Sequence, residues 1–247
     1  MIYVSDLHLR SQNDEQGQRF LKFLQLCKSE GVHTFILGGD IFDLFVGASG
    51  VFRSQFKRII DAIGALADTG TKVYYLEGNH DFHLQAVFAA HSNVAIQEND
   101  FSLEFAGNKI WVSHGDLIDP DDKGYRLLRA ITRSAIFTFL IKFIPGFLVH
   151  QIGVWSSRKS RNYNNLERLS DGQRKNTRDK FFGFARGMIA QGFDFVLVGH
   201  SHLPDEQQLA TTGKSGMYIN LGFSDQSISY YEITEAGAQV RAYSSRE

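Results

Sequence analysis

The amino-acid sequence predicts an α/β fold of two packed sheets with helices outside, a four-layer α-β-β-α sandwich. Three observations carry this. In the first half, short apolar runs alternate with stretches of helical spacing, the pattern of βαβ units and a mostly parallel sheet. In the last part, strand-like runs follow one another with hardly any helix between them, which suits antiparallel pairing. The chain has 247 residues, 43% hydrophobic and 21% charged, an ordinary globular composition for one sizeable domain.

The elements follow in order. "MIYVS" is apolar and β-branched and ends in polar residues, so it predicts a short buried strand. From Gln16 to Glu30, Phe20, Leu21, Leu24 and Cys27 recur at helical spacing. "HTFILGGD" is a second buried strand, followed by a helix around Ser54 to Asp68. "KVYYLEGNHD" is a third strand, with a short helix expected after it. In "FSLEFAGNKIWVSHGD" two strand-like runs are joined by Gly107-Asn108, a hairpin signal. "DFVLVGH", "GMYINLGF", "SISYYEIT" and "AQVRAYS" complete the strands.

Charge and cysteine content bound the function. A net charge of −1 calls for no nucleic-acid partner, and nothing in the sequence implies an obligate protein partner. The single cysteine, Cys27, cannot form an internal disulfide, so a reducing, cytoplasmic compartment is expected. The opening "MIYVSDLHLR" has no basic n-region, long apolar run or small-residue cleavage site, so no signal peptide is expected.

Chemistry gathers where the apolar strands stop. Asp6 and His8 follow the first strand and Asp40 the second; Asn79, His80 and Asp81 follow the third. His114 and Asp116 follow the hairpin, and His200 and His202 follow "FVLVG". One such histidine alone would be an ordinary core or loop residue. Five strand ends carrying Asp, Asn or His are another matter, because open α/β sheets collect ligands at the carboxyl ends of their strands. Oxygen and imidazole donors without a thiol suit two divalent ions such as Mn²⁺, Fe²⁺ or Zn²⁺ rather than a structural zinc site. A bridging carboxylate is then needed, and Asp40 is the natural candidate.

This order (Asp-x-His, Gly-Asp, Gly-Asn-His-Asp, His-Gly-Asp, Gly-His-x-His) resembles that of the calcineurin-like metallophosphoesterases, from residue 4 to residue 202. The resemblance implies Asp6, His8, Asp40 and His202 around one metal ion. It implies Asp40, Asn79, His114 and His200 around the other, with Mn²⁺ first among the metals and Fe²⁺, Zn²⁺ or Mg²⁺ as others. His80 would sit over the leaving group or a non-bridging oxygen, as general acid or charge stabiliser, with Asp81 orienting it.

A single domain over 1–247 is expected, with a helical lid inserted at about 121–170. Residues 135–155, "AIFTFLIKFIPGFLVHQIGVW", are very apolar, yet Lys142, Pro145 and Gly146 interrupt them. A membrane span needs about 20 consecutive apolar residues, which leaves a buried core helix or a helical hairpin with a greasy face toward lipid. A basic cluster follows, including Arg158, Lys159, Arg161, Arg168, Arg174, Lys175, Arg178 and Lys180, either a solvated face or a contact for phosphates or anionic lipid.

The segment His114-Gly115-Asp116, Asp121, Asp122, Tyr125, Arg129, then "RKSRNYNN" and "FVLVGHSHLP", resembles the bacterial UDP-2,3-diacylglucosamine diphosphatases over nearly the entire chain. The resemblance implies hydrolysis at the α-phosphorus of a lipid-linked nucleotide to UMP and 2,3-diacylglucosamine 1-phosphate. The place of action would be the inner face of the cytoplasmic membrane, with peripheral contact. Asp122 and Tyr125 would meet the sugar or nucleotide; Ser160, Asn164 and Arg168 would meet the glucosamine and phosphates, and Asn79, His80 and His200 would also face substrate. The best-known members carry Arg where this chain has His80, and Glu167 stands where a basic residue is usual. A soluble phosphoesterase acting on a nucleotide, small pyrophosphate or phosphoprotein, and a non-catalytic scaffold, are the alternatives.

Overall fold

The computed structural model describes residues 1–141 and 170–244. Among them, strands β1 (Ile2–Val4), β2 (Thr34–Leu37), β4 (Lys72–Leu76), β6 (Val94–Gln97), β12 (Ile228–Thr234) and β13 (Gly237–Tyr243) form one sheet in the order β13-β12-β1-β2-β4-β6. The β1, β2, β4 and β6 strands pair in parallel, and β12 and β13 add antiparallel. The second sheet has the order β10-β11-β9-β8-β7, from β7 (Phe101–Phe105), β8 (Asn108–Ser113), β9 (Phe195–Val198), β10 (Asp205–Thr211) and β11 (Lys214–Asn220). A short parallel pair, β3 (Phe45–Val46) and β5 (Asp81–Phe82), stands apart from both sheets.

Side-chain alternation along the strands builds the layers. Tyr3, Ile36 and Leu76 of the first sheet meet Ile110, Val112, Leu197 and Ile219 of the second in a core between the sheets. The opposite face of the first sheet, with Val4, Phe35, Leu37, Val73 and Tyr75, packs under helices α1 (Glu15–Ser29) and α3 (Lys57–Ala67). Helix α6 (Asp171–Ala190) covers the second sheet, with Phe181, Ala185 and Ile189 against Val196, Val198 and Tyr218. The α-β-β-α sandwich expected from the sequence is the observed architecture.

Several local expectations change. Helix α1 buries Phe23, and Leu21 is only partly buried, because the buried stripe runs through Phe20, Phe23, Leu24 and Cys27. The helix expected around Ser54 to Asp68 is two, α2 (Gly50–Gln55) and α3, with Phe56 as the break between them. No helix lies between β4 and β6. The chain instead forms β5, and Asp81 there is consumed in hydrogen bonds to neighbouring loops. The hairpin turns at Ala106-Gly107, both at positive φ (48° and 75°), so Asn108 already belongs to β8. Strand β10, rich in Gln, was not expected; it forms the edge of the second sheet, where one polar face is tolerated.

The expected insertion begins with α4 (Lys123–Thr132) and α5 (Ala135–Leu140), capped by the side chains of Asp122 and Ser134. Phe137 and Ile141 reach the core beneath α1 and α3. Most of the apolar 135–155 stretch, and Ser160, Asn164 and Arg168, lie outside the described residues. No described helix is long and apolar enough to cross a membrane.

Candidate metal centre

The site forms where β1, β2 and β4 of one sheet and β8 and β9 of the other end on the same side. Beyond the sheet, the loops after β1 and β2 continue to pair: Asp6 N and His8 N donate to Gly39 O and Asp40 O, both at 3.0 Å. Asp6, His8, Asp40, His200 and His202 all have positive φ, between 47° and 67°. That region costs a non-glycine residue about 1–2 kcal/mol, and such strain persists where the surroundings over-determine it, often at functional sites. Two glycines make room for the carboxylates: a Cβ on Gly78 would stand 2.2 Å from Asp40 Oδ1, and one on Gly199 2.5 Å from Asp6 Oδ2.

The donors converge in overlapping groups. Asp6, His8 and His202 lie together, as do His8, Asp40 and His80, and Asp40, His114 and His200, with donor atoms within 4.8 Å in each group. His8 Nε2 and His202 Nε2 approach to 2.9 Å, and His202 Nε2 is 3.6 Å from Asp6 Oδ1. Asn79 Oδ1 lies 2.9 Å from both His114 Nε2 and His200 Nδ1. Asp40 stands between the groups, Oδ2 3.9 Å from His8 Nε2 and Oδ1 3.5 Å from His114 Nε2. Among the described residues Asp6 Oδ2 is buried with no hydrogen-bond partner, an orphaned acceptor of the kind a cation satisfies. This Asp, Asn and His set fits two divalent ions, with Asp40 placed to be shared.

Electrostatics agree with that fit. Burial pushes His200 and His202 down to about 4 and His8 well below its usual value, so these rings are neutral, the form in which imidazole binds a metal. Burial, reinforced by Asp40, pushes Asp6 up to about 7. Burial alone would lower His114, but the Asp40 carboxylate, with Asp116 and Asp6, lifts it to about 10. Burial opposes ionisation of Asp40 too, yet His114 and His80 hold it well below the carboxylate range. A proton on His114 thus stands where a divalent ion would supply the positive charge, and metal uptake would release it.

The supporting contacts correct one expectation. Asp81 does not orient the His80 ring. Its buried carboxylate accepts from Asp40 N (2.9 Å), Ile41 N (2.7 Å), Gly78 N (2.9 Å) and Tyr75 OH (2.7 Å), holding the loop that carries Asp40. Such donors are within reach because Asp81 sits in β5, inside the turn formed by the two loops. His80 instead places Nδ1 2.6 Å from Asp43 O, and its backbone N–H donates to Asp40 Oδ1 at 2.8 Å.

Tyr125 and Asp122 are already engaged: Tyr125 OH donates to Asp116, which also meets Arg129 Nε at 3.1 Å, and Asp122 Oδ1 caps α4 at Tyr125 N, 2.9 Å. The Tyr125 ring is nevertheless 6.3 Å from that of His200, at the rim of the site. Of the basic cluster, Arg178 pairs with Asp205 and Lys180 with Asp119.

Sequence reasoning missed Asn220, whose Nδ2 donates to Gly199 O (2.9 Å) and Ser201 Oγ (3.0 Å), fixing the His200 turn. A lone polar residue closing the buried strand "MYIN" was the available signal. It also missed Glu77 and Arg133, which no motif marks.

The comparisons with known proteins accord with this geometry. A model of the calcineurin-like phosphoesterase family matches residues 2–204. A protein of Enterobacter sp. (strain 638) named UDP-2,3-diacylglucosamine hydrolase is 26% identical over 241 residues, covering 97% of each chain. One of the same name from Pseudomonas fluorescens (strain SBW25) is 25% identical over 251 residues, covering 98% of this chain and 95% of that one. Among solved structures, an archaeal phosphodiesterase is 13% identical with a TM-score of 0.47, covering 98% of this chain and all (100%) of that one. With five strand ends delivering metal-binding side chains to one place and the family match running through all of them, the chain belongs to the calcineurin-like phosphoesterases and is a hydrolase of that family.

Proposed function

We propose that the chain hydrolyses the pyrophosphate of UDP-2,3-diacylglucosamine, giving UMP and 2,3-diacylglucosamine 1-phosphate, at the inner face of the cytoplasmic membrane. The observation that carries the lipid half of this reading is the set of exposed apolar side chains on α4 and α5. Leu127, Leu128, Ile131, Ile136, Phe139 and Leu140 are each at least 54% or, for Ile131, 53% exposed. So many large apolar side chains in α4 and α5 suit acyl chains and the membrane surface that supplies them. The full-length match to relatives named for this substrate supports the nucleotide half.

Asp6, His8, Asp40 and His202 would hold one divalent ion, and Asp40, Asn79, His114 and His200 the other. When bound, the ions neutralise charge on the phosphoryl group and acidify a water at neutral pH. In this reading His80 serves the leaving group. A carbonyl can only accept, so His80 Nδ1 donates its N–H to Asp43 O, which fixes the orientation of the ring that would act as general acid. Water would add its oxygen to the α-phosphorus and lose a proton to solvent as the bond to the bridging oxygen breaks, and the lipid phosphate would depart with that oxygen, protonated by His80. Asp122, Tyr125, Ser160, Asn164 and Arg168 complete the substrate contacts in this reading, under the lid at about 121–170.

The test is Mn²⁺-dependent release of UMP from UDP-2,3-diacylglucosamine in detergent, beside hydrolysis of bis-p-nitrophenyl phosphate. Fast UMP release with poor aryl turnover is expected. Aryl turnover with no action on the lipid would move the substrate to a soluble phosphoester and leave these apolar side chains without this role.

A further inference from the structure

The loop that carries Asn79, His80 and Asp81 is fastened at its base and to the inserted helices by groups that the chemistry above does not use. Glu77 is buried, its side chain 2% exposed. Its Oε1 accepts from Leu84 N at 2.7 Å, closing the loop across residues 77–84. Its Oε2 pairs with Arg133, and the other arm of that guanidinium donates to Gly78 O at 3.0 Å, one residue before Asn79. Arg133 also lies 5.9 Å over the Phe82 ring. A second fastening is independent of it: His83, at φ 59°, places Nε2 2.8 Å from Thr132 O and 3.1 Å from Thr138 Oγ1, and its ring stacks on Phe137. Both contacts join the two sides at one place, the junction of α4 and α5.

We propose that Arg133 is a positioning residue. Through Glu77 and Gly78 it locks the Asn79–His80 loop to the α4–α5 junction, so that the metal centre takes its final form only with the inserted helices seated. The fork geometry matters: one guanidinium spans a carboxylate and a backbone carbonyl, which a lysine ammonium does not reproduce. The proposal rests on Asn79 being a metal ligand, as read above.

The test is Mn²⁺ binding followed by the loss of the free-ion EPR signal, with kcat and KM on bis-p-nitrophenyl phosphate measured alongside. Removing Arg133 alone would strand a buried Glu77 charge and risk unfolding. The informative variants are therefore Arg133→Lys, which keeps the charge, and the double variant Glu77→Gln/Arg133→Met, which removes it from both sides and keeps an oxygen for Leu84 N. The double variant is expected to melt within a few degrees of the wild type but to bind Mn²⁺ about 10- to 100-fold more weakly, the usual cost of losing an outer partner of a ligand. Its kcat falls at saturating substrate while KM on the small diester holds; Arg133→Lys lies between. Wild-type Mn²⁺ affinity and kcat in either folded variant overturns the proposal. A wild-type protein that takes up no Mn²⁺ overturns the metal reading and the proposal with it.

Discussion

Asp40 is the residue on which the two halves of the site depend, because its oxygens face His8 on one side and His114 on the other. Asp40→Asn keeps the shape but removes the shared negative charge. A metal's electrostatic contribution to phosphoryl transfer is several kcal/mol, so hydrolysis of any phosphoester should fall by at least about 100-fold, at about 1.4 kcal/mol per tenfold. Full turnover by the variant in a steady-state assay would remove Asp40 from the centre. Away from the site, Cys27 gives a pH prediction. Burial pushes its thiol up to about 12 from an ordinary 9.0. A raised acid is stabilising to the fold below its unfolded value and loses that contribution as pH rises toward the folded one. Stability should therefore sag between pH 9 and about 12, and less so in Cys27→Ala, as thermal melts across that range would show. The seven candidate ligands were legible in the sequence because each ends an apolar strand. The partners of Asp81 were not, since motif order carries no information on which backbone N–H groups fold back over a carboxylate.

Elements set how closely those residues approach. The turn after β4 passes over Asp40 with no space to spare, and Gly78 is what lets it do so. Gly78→Ala puts a methyl 2.2 Å from Asp40 Oδ1 and 2.5 Å from Asp40 N, so either the turn or the carboxylate must move. Mn²⁺ affinity should drop by about tenfold or more while far-UV circular dichroism stays at the wild-type level; unchanged affinity would show that the turn yields freely. Helix α1 shows how much of an element the pattern specifies. Its position came from apolar spacing, yet the spacing admitted Leu21 and passed over Phe23. The choice was made by the sheet beneath, where Phe23 sits 6.2 Å from Phe35 and 5.0 Å from Tyr230, rings centroid to centroid. Strand β10 was hidden for the opposite reason: an edge strand needs only one buried face, and Leu209 is the apolar residue it buries.

At the scale of the whole molecule, the candidate centre lies across the sandwich. Asp6, His8, Asp40 and Asn79 come from the ends of the first sheet, and His114, His200 and His202 from the second. Ions held there would tie together two sheets that also meet in the apolar core between them, so metal binding would be linked to global stability as well as to turnover. A ligand that binds only the folded chain stabilises it by about 2.7 kcal/mol at 100 times its Kd. For a chain of this size each kcal/mol moves Tm by about 2–4 °C, so Mn²⁺ at that level should raise Tm by about 5–11 °C. Chelation with EDTA should reverse the shift, and Asp40→Asn should lack most of it. The sign of the charge balance makes the effect pH-dependent: metal uptake displaces the proton that Asp40, Asp116 and Asp6 hold on His114 up to about 10, so apparent affinity should strengthen as pH rises toward that value. Thermal melts at fixed Mn²⁺ from pH 6 to pH 9 would show the Tm increment growing with pH. An increment that shrinks over that range, or a wild-type Tm indifferent to Mn²⁺, would mean that the ions do not sit between the sheets.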